Sequence, residues 1–161
     1  MTKSLIISIL IVLLFNLSNA QSYEKAIGIR GGLFSGITGK FFLSDNTAIE
    51  GIFHSRWKGY GICGLYEIHN DMNNENFRWY YGAGGSLSVW EGQYVPWIDP
   101  YAGHDIYKQY MVISIDGIIG IEYNFSDIPF NLSIDWKPSF NLVGYSGLWV
   151  DGAALSLRYT F

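Results

Sequence analysis

Ala153-Ala154-Leu155-Ser156-Leu157-Arg158-Tyr159-Thr160-Phe161, the last nine residues of the chain, alternate apolar and polar side chains and stop on an aromatic. Successive side chains of a strand point to opposite faces. Leu155, Leu157, Tyr159 and Phe161 therefore share one side, and Ala154, Ser156, Arg158 and Thr160 the other. The segment reads as a β-strand with one apolar face.

Seven further segments show the same period of two, separated by turn residues rich in Gly, Asn, Asp and Ser. They are predicted near 25–33, 37–43, 47–57, 60–69, 78–89, 111–125 and 130–137. In the third, Ile49, Gly51, Phe53 and Trp57 oppose Glu50, His54 and Arg56. In the sixth, Ile113, Ile115, Ile119, Ile121 and Tyr123 oppose Ser114, Asp116, Ile118, Glu122 and Asn124. No apolar stripe with the 3.6-residue period of a helix competes. The fold class expected is all-β, an eight-stranded antiparallel up-and-down barrel.

The two faces differ sharply in charge. One collects Arg30, Lys40, Arg56, Lys137 and Arg158 together with Glu50, Glu67, Asp116, Glu122 and Asp135, five of each sign. The other carries almost none. Burying an unpaired ion costs several kcal/mol, so a balanced set suits an enclosed lumen in which every charge has a partner. Eight strands enclose a space just wide enough for side chains to fill, with glycines where a long Arg or Tyr must fit. The apolar face gathers rings near strand ends, at Trp57, Tyr60, Trp79, Tyr81, Tyr123, Phe130, Tyr159 and Phe161. Rings in that position form the girdles of a membrane barrel at its two interfaces. A soluble lipocalin-like barrel would invert the pattern, with an apolar cavity and a polar exterior.

Residues 1–20 read as a cleaved secretory signal peptide: Lys3, an apolar run from Leu5 to Phe15, and the small-x-small site Ser18-Asn19-Ala20. Eleven apolar residues at 1.5 Å each are too short for a ~30 Å hydrocarbon core. The remaining segment, 21–161, is expected to be one barrel domain. Without Lys3, nine basic residues stand against fourteen acidic ones and no basic cluster exists, which argues against a nucleic-acid partner. Cys63 is the single cysteine, so it has no disulfide partner within the chain and reads as a small buried hydrophobe.

The signal segment, the alternation over Ala26 to Phe161 and the ending Leu155-Ser156-Leu157-Arg158-Tyr159-Thr160-Phe161 together resemble the small eight-stranded Gram-negative outer-membrane β-barrel family, of the OmpX and OmpA membrane-domain type. The resemblance implies an outer-membrane location with lipid as the surrounding partner. It also implies recognition of Tyr159 and Phe161 by the barrel-assembly machinery during insertion. With both termini in the periplasm, the connections at 34–36, 58–59, 90–109 and 143–151 face outward, and only the last two are long. The longer one carries Tyr94, Trp97, Tyr101, His104 and Tyr107, stiffened by Pro96 and Pro100, a candidate surface for a glycan or protein ligand of unknown identity.

Some barrels of this size modify lipid A. The deacylase type uses a His and a Ser two residues apart on one outward face, whereas His54 and Ser55 are adjacent and lie on opposite faces. A loop site built from His104, Asp105 and Ser146 is the acyltransferase alternative. His54 is expected to pair with Glu50 or with an acid on a neighbouring strand. His104 and Asp105 specify no metal geometry. The function expected is an integral, non-enzymatic barrel with a structural or surface-interaction role and no cofactor. A lipid A-modifying enzyme and a narrow pore are the alternatives.

Overall fold

The computed structural model describes residues 23–33, 35–56, 59–74, 76–91, 109–144, 147–150 and 152–161, with backbone only at Arg56 and Glu91. The signal segment, the Arg56 side chain, Trp57, Ser146, and the loop residues Tyr94, Trp97, Tyr101, His104, Asp105 and Tyr107 lie outside the described residues.

Eight strands follow one another: β1 (Lys25–Gly32), β2 (Ser35–Ser44), β3 (Thr47–Arg56), β4 (Gly59–Asp71), β5 (Phe77–Glu91), β6 (Gln109–Asn124), β7 (Phe130–Trp136, resumed as Ser139–Val143) and β8 (Gly147–Trp149, resumed as Ala153–Thr160). Each pairs antiparallel with the next. β8 returns to β1 through Ala26↔Thr160 to Gly32↔Ala154, which closes the barrel and leaves no open edge along this seam. Lys25 and Phe161 exchange backbone hydrogen bonds of 3.0 and 2.9 Å beyond the last ladder pair.

Alternation decides what faces where. β4 and β6 switch between buried and exposed side chains over almost their whole length. Ile29 and Ile134 on the outside are 66% and 61% exposed, whereas Glu50, Glu67, Asp116, Glu122 and Arg158 on the inside are 0% exposed. The hydrophobicity is inside out. Exterior rings gather at the end that holds the chain termini. Phe77 packs on Tyr123 at 4.7 Å, Tyr123 on Phe125 at 4.9 Å, Trp79 on Tyr81 at 5.4 Å and Phe130 on Tyr159 at 5.7 Å.

The structure corrects two boundaries. The segment 143–151 is not a long loop: β7 continues to Val143 and β8 begins at Gly147, with Gly144 at φ 96° in the left-handed region that favours glycine. Pro138 hides this continuation in the sequence because it breaks the alternation and has no N–H to give. It does not break the register, since Ile119↔Trp136 and Asp116↔Ser139 stay in step and Gly117 N–H donates to the Pro138 carbonyl at 2.9 Å. β4 likewise runs on through Asn70 and Asp71, shortening the expected connection at 70–76.

β8 contains one residue more than β7 between the pairs Trp149↔Ser139 and Ala153↔Trp136. An extra residue exchanges the two faces of a strand. Leu148 and Val150 accordingly point out, while Gly152 and Ala154 point in.

Candidate functional site: the charged interior

Side chains that lie more than a hundred residues apart in sequence meet inside the barrel. Arg30 of β1 grips Asp135 of β7 through both carboxylate oxygens, with Nη1 donating to Oδ2 at 2.7 Å. Planar forks of this kind are the strongest arginine–carboxylate arrangement. The Tyr80 hydroxyl donates to the same Oδ2 at 3.2 Å.

Arg158 of β8 is the hub of a second group. Its Nη2 is 2.5 Å from Glu50 Oε1, and its Nη1 donates to Ser133 Oγ at 2.7 Å and to Asn131 Oδ1 at 3.3 Å. Nε donates to Thr38 Oγ1 at 3.3 Å, and the Thr38 hydroxyl donates to Glu50 in turn. Four strands are thereby joined across the interior.

Lys40 of β2 lies among three glutamates, with Nζ 2.8 Å from Glu67, 3.5 Å from Glu122 and 3.6 Å from Glu50, and 4.2 Å from the centre of the Tyr80 ring. His69 sits between two of the same acids, Nε2 3.0 Å from Glu67 and Nδ1 3.3 Å from Glu122, and stacks on Tyr80 at 5.0 Å. Lys40 Nζ, Glu50 Oε2, His69 Nδ1 and Glu122 Oε1 are buried within 4 Å of an opposite charge but outside aligned hydrogen-bond geometry among the described residues. Charge holds this cluster more than bond direction does. From just before β1, the Tyr23 hydroxyl reaches Glu122 at 3.1 Å. Burial, then the Glu122 carboxylate, push that phenol well above its ordinary range, so it acts as a donor.

A third group occupies the half of the barrel away from the termini. Lys137 Nζ is 3.3 Å from Asp116, which also accepts from Cys63 Sγ at 3.1 Å and from Ser114 Oγ at 3.2 Å. Cys63 is buried and unbridged.

Nine of the ten charged residues selected from the sequence are buried here: Arg30, Lys40, Glu50, Glu67, Asp116, Glu122, Asp135, Lys137 and Arg158. His54 and Glu50 are both buried inside the barrel on the interior face of β3. The two lie four residues apart on one strand, about 13 Å along it, and Glu50 is occupied by Arg158 and Thr38. Arg78, Tyr80 and His69 belong to the interior and are missing from the selected set. Arg78 binds Asp71 at 2.7 Å and the Asp45 carbonyl at 2.6 Å. Its place on the polar row of β5 is the signal that identifies it.

Glycine makes room for the fully buried ring of Tyr80. A Cβ at Gly120 would stand 2.6 Å from Tyr80 Cζ and 2.7 Å from Asp135 Cβ. Gly120→Val should displace Tyr80 and cost about 1–3 kcal/mol, the usual range for overpacking. Urea unfolding in detergent reads this directly, and an unchanged midpoint would show that the ring is not held there.

Ser55 is exposed on the exterior, its hydroxyl donating to the Gly59 carbonyl at 3.1 Å, while His54 is buried inside. The two cannot act on one substrate atom. No group of three or more His, Cys, Asp or Glu among the described residues is placed to hold a metal ion. Tyr159 lies on β8 opposite Ile27 and Phe130, and Phe161 is exposed at the end of the seam.

No protein-family model matches the chain, and no curated protein sequence matches it. Among solved structures it is similar to the N-terminal β-barrel domain of Pseudomonas aeruginosa OprF, with a TM-score of 0.66 and 16% identity over 88% of this chain and 100% of that one. It is also similar to Neisserial surface protein A, with a TM-score of 0.55 and 14% identity over 85% of this chain and 94% of the other. What the three share is the fold, a closed eight-stranded antiparallel barrel.

Proposed function

We propose that the protein is an integral outer-membrane barrel whose interior is a packed, ion-paired core, and that its role is structural or surface-interacting, not catalytic. The observation that carries the reading is the inverted partition of side chains. Isoleucines, leucines and aromatics cover the outside, and ions of both signs are enclosed together. In water such an exterior would be a single apolar patch far beyond the few hundred Å² that soluble monomers expose. In lipid it is the expected surface, and a closed barrel is one of the two backbone arrangements that satisfy their own polar groups there. The ring band at the terminal end suits an interface with headgroups. The likeness to the OprF barrel and to Neisserial surface protein A agrees with this reading through the fold alone.

The mature chain is expected to fractionate with outer membranes and to need detergent for extraction. Folded, detergent-free solubility would overturn the proposal. Lipid A mass spectrometry on cells with and without the gene tests the enzyme alternative, and unchanged acyl chains are expected. A narrow pore is favoured by one observation, a polar cavity in the half away from the termini. The layer of Arg158, Glu50, Lys40, Glu67 and Glu122 stands across the other half. Planar-bilayer recording should therefore show no large, stable conductance steps.

A further inference from the structure

The cavity in the half away from the termini has a wall unlike the ion-paired core. It offers about 40 Å³ and is lined by Ser88, Ser114, Asn141, His54 and Lys137, with the indoles of Trp90 and Trp149 beside them. Trp149 faces inward here because the extra residue of β8 lies between it and Ala153, so it pairs with Ser139 on the interior side. Apart from the indoles, the groups around the space are mostly hydroxyl, amide and imidazole.

From this geometry we infer that the cavity is a binding site for a neutral carbohydrate, entered by one edge of a terminal pyranose. Charge decides between sugar and oxyanion. The one lysine or arginine among the described lining residues, Lys137, already has Asp116 at 3.3 Å and the Ser139 hydroxyl at 3.1 Å, so an entering anion would bring an uncompensated charge beside it. A polyol brings none. Its hydroxyls both donate and accept, which matches a wall of serine hydroxyls and an asparagine amide. Size agrees: at roughly 10–15 Å³ for each water-sized group the space takes about three of them, the number of adjacent hydroxyls along a pyranose edge. The apolar face of the ring then has an indole to lie against. The inference concerns the interior only and does not depend on where the barrel resides.

The test uses the full mature chain refolded in a zwitterionic detergent, because glycoside detergents would compete. Tryptophan fluorescence is titrated with glucose, galactose, mannose and N-acetylglucosamine, and with sulfate as the anion control. At least one sugar should give a saturable change in the millimolar range. Asn141→Ala and Ser88→Ala should each weaken it about fivefold or more while the urea midpoint of the free protein stays within the range of surface substitutions. Trp149→Phe, which keeps an aromatic ring, provides a second variant should the Asn141 change disturb folding, and should reduce the amplitude. Linear responses to all four sugars would overturn the inference, as would saturation by sulfate alone or undiminished affinity in the Asn141 and Ser88 variants.

Discussion

Lys40→Met is expected to lower the unfolding free energy of the refolded barrel by about 3–5 kcal/mol, the range seen when one member of a buried ion group is removed. Methionine fills much the same space, so the loss reports charge and not a void. Lys40 Nζ stands within 3.6 Å of Glu50, Glu67 and Glu122, and its side chain is fully buried. Without it, three carboxylates share Arg158 alone among the fixed cations of that layer. Glu67→Gln works in the opposite direction, because it leaves two carboxylates for two cations. It should cost about 1 kcal/mol or less, the scale of one altered hydrogen bond. The double variant should recover part of the Lys40→Met loss. Urea titrations in lipid vesicles compare the three, and equal costs for the two single changes would show that the layer is not governed by its charge balance.

Leu157→Arg is the second large effect. Leu157 lies mid-strand on β8, opposite Ile29 of β1 and Leu132 of β7, and all three belong to the exterior face. At the midplane of a bilayer, arginine on a barrel exterior costs about 2–4 kcal/mol. On a water-exposed surface the same change stays within about 0.5 kcal/mol. Measured in vesicles, the size of the loss therefore reports directly what the outer face touches. A loss near zero would remove the barrel from the membrane.

Much of the architecture was legible because a strand has an exact period. From Leu155 to Phe161 every second residue is apolar, and the structure puts Leu155 and Leu157 outside and Ser156 and Arg158 inside. Position on a face needs no knowledge of neighbouring strands, which is why nine charged residues could be assigned to one enclosed space. Pro138 marks where the reading stopped short, since a residue that gives no ladder hydrogen bond looks like the end of a strand. Here its carbonyl still accepts from Gly117, and β7 runs on to Val143.

Partnership was a different matter. Arg158 and Glu50 are 108 residues apart and Arg30 and Asp135 are 105, and no spacing rule links them. The placement of His69 between Glu67 and Glu122, and of Tyr80 over Gly120, depends on the relative register of β4, β5 and β6. Trp149 faces the cavity because β8 carries one residue more than β7 between two ladder pairs, a count that exists only once the strands are aligned.

Alternation along a single strand is a local property of the backbone, so the amino-acid order alone determined that this chain has eight two-faced strands and which face holds the ions. Register and closure are relations between strands. The tertiary structure alone therefore decided which acid meets which base, where the interior is full, and where it leaves a hydroxyl-lined hollow.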